Sequence, residues 1–400
     1  MIWQALTLQL GYNATLVALG ATLLGIAAGV TGSFLFLRKR ALVSDAVSHA
    51  TLPGIGLAFI VMVAMGGDGR FLPGLLLGAA LSSGLGLLLI AWMMRRTRLS
   101  EDAAIGAVLS VFFGAGIVLL TVIQSMNAGR QAGLDTVLLG STAGMLQSDA
   151  LVIAAGGAVV LLLVLLLRRP MLVVGFDPDY AAVSGTNVGR IDLAVMGLVM
   201  AVTVLGITTV GLILIVALLI IPPVTARLWT DHALRMVALA GVVGGLSAYV
   251  GAAVSATAPA LPTGPIIVLA SFVLFALSMI LAPARGGLAL IRRQMRFRRR
   301  VHRRQGLLAL AVGQTIHEPF TLALLRREGL ARADGVPTDA GRAAAAKALL
   351  DEARWAALRA DPAHGLSASR YDALTRIETV LTPDQIAELD RHLPRPRGVS

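Results

Sequence analysis

Between residues 13 and 283 the chain carries one long apolar run after another, with most of that region's charge confined to short connections. A helix rises about 1.5 Å per residue, so roughly 20 apolar residues cross the hydrocarbon core of a bilayer. Hydropathy and helix breakers place nine spans, near 13–37, 44–65, 71–94, 103–124, 149–167, 191–208, 210–228, 236–257 and 264–283. Nine is favoured within a range of eight to ten, because only residues 208–211 divide the sixth run from the seventh. Residues 135–145 are read as short helices dipping into the membrane surface. Charged residues make up 14% of the 400, where a soluble domain averages about 25%, so these runs are not a buried soluble core. The fold class expected is all-α: a polytopic helical bundle over residues 1–284, an Arg-rich linker over 285–305, and a small helical, winged-helix-like domain over 306–400.

The charge distribution gives an orientation. With the N-terminus outside, the inner connections hold Arg38, Lys39, Arg40, Arg95, Arg96, Arg98, Arg168, Arg169, Arg190, Arg227 and Arg235, whereas the outer ones hold only Arg70 and Arg130. Basic residues collect on the cytoplasmic side of membrane proteins, so residues 306–400 are expected in the cytoplasm. The first run has no basic segment ahead of it and exceeds a signal-peptide core, so it is read as a retained span. Cysteine is absent, which excludes disulfides, thiolate metal sites and a cysteine nucleophile. Glycines inside the spans, as in the GIAAG of residues 25–29, are read as packing positions that let helix backbones approach.

The second span opens with LVSDAVSHATLPGIGLAF, residues 42–59. Asp45 and His49 are four apart, hence one turn apart on one helix face. From a boundary at Arg40, Asp45 lies about 7 Å and His49 about 13 Å into the span at 1.5 Å per residue. A carboxylate there costs roughly 2.5–3.5 kcal/mol, so such residues face a bundle interior or a water-filled path. Carboxylate plus imidazole is a mixed oxygen and nitrogen set, suited to Mn²⁺, Fe²⁺ or Zn²⁺ more than to Ca²⁺. Two ligands give the weak, transient coordination that conduction requires. Pro53 and Gly54 are expected to loosen the same helix a turn later. The plain structural reading makes Asp45 or Ser44 a helix cap and leaves His49 bonded to a carbonyl.

The segment SDAVSHATLPGIGLAF resembles the signature of the zinc, manganese and iron permeases of the ABC-3 family. EDAAIGAVLS at 101–110, GFDPDYAAVSG at 175–185 and VGLILIVALLIIPPVTARL at 210–228 resemble further segments of that family, in the same order. The resemblance spans about the first 285 residues. It implies a bacterial plasma-membrane permease with a second permease copy or paralogue, a cytosolic ABC ATPase on each half, and an external metal-binding lipoprotein that delivers the ion. It also implies that Asp45 and His49 line the metal path, and that Asp177, Pro178, Asp179 and Tyr180 belong to the loop docking into the ATPase. Locally, Asp177-Pro178 reads as a helix start, with Asp177 capping and Pro178 in the first turn. No G-x-x-x-x-G-K-[ST] loop is present, so the chain is not itself an ATPase. Glu101 and Asp102 read as helix N-terminal charge complementing the dipole. No permanently bound cofactor is expected; the metal is cargo, and the choice among Mn²⁺, Fe²⁺ and Zn²⁺ stays open.

Eight arginines fall within residues 292–304. Directly after a span, such a cluster binds anionic lipid headgroups; with only Phe297 interleaved, nucleic acid is not an expected partner. Residues 338–358 and 369–393 show helical periodicity. GLARADGVPTDAGRAAAAKALLDEARW and TRIETVLTPDQIAELDRHL resemble the wing, following helix and start of the dimerisation region of diphtheria-toxin-repressor-type metalloregulators. Where that pattern has a metal-ligand His, this chain has Glu352 and Thr379, with Glu378 retained, so a docking or regulatory role towards the ATPase fits better than DNA or metal binding. His302, His317, His364 and His392 read as scattered surface residues. Two other functional classes stand beside the importer: an ion-coupled secondary carrier with Asp45 and His49 as a proton relay, and a membrane-tethered metal-responsive regulator.

Overall fold

The computed structural model describes residues 12–67, 69, 71–125, 147–257, 262–360, 369, 371–372 and 374–393. The chain divides into two compact units, Met1–Ala289 and Leu290–Ser400. In the first, the apolar runs form α1 (Tyr12–Leu37), α2 (Leu42–Ala64), α3 (Leu72–Arg96), α4 (Glu101–Ser125), α5 (Gln147–Phe176), a one-turn-and-a-half α6 (Pro178–Val183), α7 (Val188–Val210), α8 (Leu212–Trp229), α9 (Ala233–Ser255) and α10 (Thr263–Leu281). All of these except α6 are long and apolar enough to cross a membrane, nine among the described residues. The expected all-α, nine-span bundle is thus the observed one. The short helices expected over 135–145 lie outside the described residues.

Two boundaries differ from the sequence reading, each for a physical reason. α5 continues past residue 167 through Arg168, Arg169 and Pro170, since long basic side chains can reach polar surroundings without ending a helix. α7 and α8 are divided by Gly211 alone, which takes φ +86°. Glycine enters that region without a Cβ penalty, so the chain reverses with no loop for hydropathy to reveal.

Cohesion comes from backbone proximity. A Cβ built on Gly25 of α1 would lie 2.4 Å from the carbonyl oxygen of Gly244 in α9, and one on Gly244 would lie 2.2 Å from that of Gly25. Gly29 meets the Ala240 carbonyl in the same way at 2.2 Å. Lipid tails are as apolar as leucine, so close packing of small residues supplies the attraction that water would otherwise drive. Around this contact α1 also packs on α5, α7 and α8. Four buried hydroxyls bond within their own helices: Ser33 donates to Gly29, Ser48 to Ser44, Ser83 to Ala79 and Thr225 to Ile221, which keeps those groups satisfied where water is absent. Leu77, Leu81, Leu85 and Leu88 line the outer face of α3, each more than half exposed. In water such a stripe would be a liability; against lipid it is the expected surface.

The second unit contains most of α11 (Gly287–Ala311), then α12 (Pro319–Arg327), α13 (Asp339–Ala360), a 3₁₀ turn (Ile377–Thr379) and α14 (Pro383–His392). Between α12 and α13 the chain pairs only at an isolated bridge, Ala331 with Pro337. Leu307, Leu310, Ile316, Leu325 and Leu330 make one core. Trp355 makes another with Leu358, Ile377 and Leu381; it is fully buried, and its indole donates to the Thr375 carbonyl at 3.1 Å. The helical periodicity read over 369–393 is corrected here. The Asp372 carboxylate accepts from the Leu374 and Thr375 amides, holding a turn, and helix resumes only at Pro383 behind a Thr382–Gln385 capping box. Asp and Thr compete for backbone groups in this way and favour turns and caps over helix interiors. His302 is corrected too: it is not a surface residue, since its ring packs edge-on to Phe320 at 4.9 Å and bonds the Thr321 hydroxyl at 2.9 Å. His317 is exposed and bonds Thr315, His364 lies outside the described residues, and nothing is described of the His392 side chain.

Two measurements check this account. Gly25→Val should lower the thermal stability of the purified chain in detergent by about 1–3 kcal/mol, the usual cost of overpacking. Gly157→Val, whose Cβ would meet nothing, is the control and should not. In the second unit, the hydrogen bond from Arg354 holds the Asp390 carboxyl below its ordinary value. Burial disfavours the Glu352 carboxylate, but hydrogen bonds from Tyr371 and Arg304 outweigh burial and hold it below its ordinary value as well. A folded-state pKa below the unfolded one contributes stability above the unfolded value, about 4 for these groups, that is lost as pH falls. Urea denaturation followed through Trp355, with Trp3, Trp92 and Trp229 replaced by Phe, should therefore weaken below about pH 4, and less so in Arg354→Ala.

Candidate functional site

α2 starts at Leu42 with no side-chain cap. Ser44 donates to the Ala41 carbonyl at 2.7 Å, so neither Ser44 nor Asp45 caps the helix. Asp45 is left on the first turn with its carboxylate free of backbone duty. His49 follows one turn on, its Nε2 3.4 Å from Asp45 Oδ1. That separation is too long for a good hydrogen bond, so both groups keep lone-pair capacity. The imidazole stands edge-on to Phe113 of α4 at 4.8 Å, and its Nδ1 is buried with no hydrogen-bond partner among the described residues. The side chains are 36% and 19% exposed for Asp45 and His49: the pair lies at the edge of the bundle, not sealed in its core.

Pro53 does not interrupt α2, which continues to Ala64. Gly54 serves contact with α3 instead of flexibility: a Cβ there would lie 2.1 Å from the Gly78 carbonyl oxygen, and one on Gly78 2.4 Å from that of Gly54. The expected loosening is therefore replaced by a tight α2–α3 seam that fixes the helix bearing Asp45 and His49. No group of three or more His, Asp or Glu residues placed to hold a metal ion occurs among the described residues. One chain brings together two ligating groups here.

At the same end of the bundle as Asp45, α5 gives way to α6. Asp177 is the N-cap, its Oδ1 accepting from the Tyr180 amide at 2.8 Å, and Pro178 follows at the first helical position. Pro178 fits because its missing N–H would have been unpaired anyway. Thr186 donates back to the Ala181 carbonyl, and Gly185 closes the turn at φ +84°. Ala181 is buried beneath, while Phe176 is 60%, Tyr180 63% and Val183 90% exposed. The loop thus holds three apolar side chains outward on a rigid, capped platform; Asp179 is exposed beside them.

Sequence reasoning missed an ion cluster between these features. Arg38 lies 2.7 Å and Arg40 3.1 Å from the same oxygen of Asp192 on α7, and Arg40 lies 2.7 Å from Glu101 on α4. Arg38 also donates to the Val174 carbonyl of α5 at 3.0 Å. Glu101 is therefore an ion-pair partner as well as a first-turn charge, and Ser100 caps α4 by accepting from Ala103. Lys39, between the arginines, takes φ +57°, the only positive φ outside glycine among the described residues. Arg40 donates to Leu35 and Lys39 to Phe36, the hydrogen bonds of a Schellman ending that glycine usually occupies. A side chain there costs about 1–2 kcal/mol. The only sequence signal for this cluster is acidic residues at the same membrane boundary as the arginines.

In the second unit Glu352 has both oxygens engaged, by Arg304 at 2.5 Å and the Tyr371 hydroxyl at 2.6 Å. Glu378 faces Lys347 at 3.4 Å, and the Thr379 hydroxyl donates to the Arg376 carbonyl.

Similarity to known proteins agrees with the all-α bundle. The chain is 43% identical over 310 residues to the manganese transport system membrane protein MntC of Bacillus subtilis, covering 77% of this chain and 70% of that protein. It is 41% identical over 285 residues to the zinc transport system membrane protein TroC of Treponema pallidum, covering 71% and 94%. Among solved structures it is similar to PsaBC from Streptococcus pneumoniae in complex with Fab, at a TM-score of 0.63 and 30% identity over 72% of this chain and 99% of that one. The model of the ABC 3 transport family matches residues 12–282, the whole described bundle from α1 to α10, and the chain belongs to that family.

Proposed function

We propose that this chain is the permease subunit of an ATP-binding-cassette importer that carries a divalent transition metal, manganese or zinc in the first place and iron by the same ligand chemistry, into the cytoplasm. The observation that carries the reading is the Asp45–His49 pair, two metal-competent groups one turn apart inside a span and open on one side. An ionisable side chain with a third of its surface open does not face lipid without large cost. Its open side therefore faces a water-filled path or a second permease, copy or paralogue, and that partner is where further ligands for the ion would come from. Manganese and zinc are the metals named for the two relatives above.

The remaining parts fit the same machine. With no phosphate loop of its own, the chain needs a separate cytosolic ATPase, and the exposed Phe176, Tyr180 and Val183 on capped α6 offer that subunit an apolar foothold. The arginine-bearing helix ends share one side of the bundle, which the positive-inside bias assigns to the cytoplasm. The opposite side would receive the ion from an external binding lipoprotein. Of the eight arginines of α11, Arg303 and Arg304 pair with carboxylates, and the other six suit anionic headgroups. A proton-coupled carrier would use the same Asp–His pair, but family membership and the outward apolar α6 favour the ATP-driven reading.

Metal accumulation in cells expressing the full importer, offered manganese, zinc and iron separately, tests the site. Asp45→Ala and His49→Ala should each reach the membrane yet lower uptake of one metal by about tenfold or more, since even outer partners of metal ligands cost 10–100-fold. Normal uptake in both variants would remove the pair from the path. For the loop, Tyr180→Ala should weaken co-purification of the ATPase by about thirtyfold, the effect of losing a 2 kcal/mol interface anchor. Unchanged recovery would place the docking surface elsewhere.

A further inference from the structure

The importer reading requires that movement at α6 reach the helix bearing Asp45 and His49, and the ion cluster lies between the two. Arg38 holds the chain on both sides of α6: it donates to Val174 in the last turns of α5 and pairs with Asp192 in the first turns of α7. Arg40 pairs with that same Asp192 oxygen and with Glu101 of α4. Arg40 also stands just ahead of α2, whose first turns carry Asp45. The four side chains are 15–27% exposed, so solvent screens them less than surface pairs.

We propose that Arg38, Arg40, Asp192 and Glu101 form the mechanical link that couples the α6 loop to the metal-bearing helix α2. The inference rests on the importer reading. Asp192 is its pivot, because both arginines converge on one of its oxygens, and Lys39 makes that convergence possible. A left-handed residue between Arg38 and Arg40 folds the α1–α2 connection back so that consecutive guanidiniums point to one place. Local backbone strain of this kind is retained where the surroundings fix it, and it concentrates at moving or functional parts. When α7 shifts with α6, Asp192 carries Arg40 and the start of α2 with it. The Arg40–Glu101 pair brings in α4, which holds Phe113 against His49. These four are positioning residues and do not touch the ion.

A merely structural role predicts loss of folded protein; the link predicts loss of coupling. The readout is therefore metal ions moved per ATP hydrolysed by the complete importer in proteoliposomes, alongside the amount of ATPase retained in the complex. Asp192→Ala should keep the ATPase bound and hydrolysing ATP while uptake per ATP falls by about two- to thirtyfold, the range that coupling residues command. Asp192→Glu should restore part of it. Arg40→Lys keeps the charge but gives up the planar fork that spans two carboxylates, and should show the same deficit without loss of assembly. Wild-type uptake per ATP in either Asp192→Ala or Arg40→Lys overturns the link. If Asp192→Ala fails to assemble, Arg40→Lys decides alone. If the unaltered complex moves no metal or binds no ATPase, the importer reading itself falls and takes this inference with it.

Discussion

Everything in the first unit follows from one constraint, that a peptide group in hydrocarbon finds no water to bond. The chain answers with helices whose amides pair internally, and with serines and threonines that bond a carbonyl in their own preceding turn. What remains is to hold the helices together without the drive that water supplies to soluble cores. The α1–α9 contact does this with glycines, bringing the Gly25 and Gly244 backbones to a distance that excludes any side chain. The Gly54–Gly78 contact repeats the device between α2 and α3. Two such seams leave the bundle rigid where it must carry polar groups.

Against that background the charged residues read as parts with assigned work. At the arginine-bearing end, ion pairs gather helix ends that are far apart in sequence, Arg38 and Asp192 being the widest example. Deeper in, Asp45 and His49 have no charged partner beyond each other among the contacts described. A carboxylate so placed is costly to retain, and the proposed metal path rests on that cost. Membership of the ABC 3 transport family and likeness to manganese and zinc transport proteins agree with the permease that the sequence motifs led us to expect, and the oxygen and nitrogen donors of Asp45 and His49 are its proposed metal site.

The second unit is built on different contacts. It has a core around Trp355, capped helices, and carboxylates held ionised by arginines. Glu352 illustrates how position outweighs residue type. The repressor-like pattern placed it where a ligand would stand, yet the fold commits its two oxygens to Arg304 and Tyr371. Asp351 pairs with the same arginine at 3.4 Å. One guanidinium thus holds both carboxylates, outside the apolar cores of this unit.

The sequence by itself determined where the apolar spans run and their order, with nine favoured, because hydropathy measures the same transfer cost that the bilayer imposes. It also determined the Asp45–His49 face, since residues four apart share a side of any helix, and the Asp177–Pro178 start of α6, whose cap is a matter of adjacent residues. Local physics suffices for each of these. Only the tertiary structure decided that Gly54 is a seam and not a hinge, because its neighbour Gly78 lies on another helix. Only it decided that Glu101 answers Arg40, that Phe113 backs His49, and that Asp192 joins two arginines. It also broke the periodicity read over 369–393, where Asp372 chose backbone amides over the helix. Such contacts join residues separated by up to 154 positions, as Arg38 and Asp192 are. No periodicity along the chain encodes them, since they exist only once independent helices have packed.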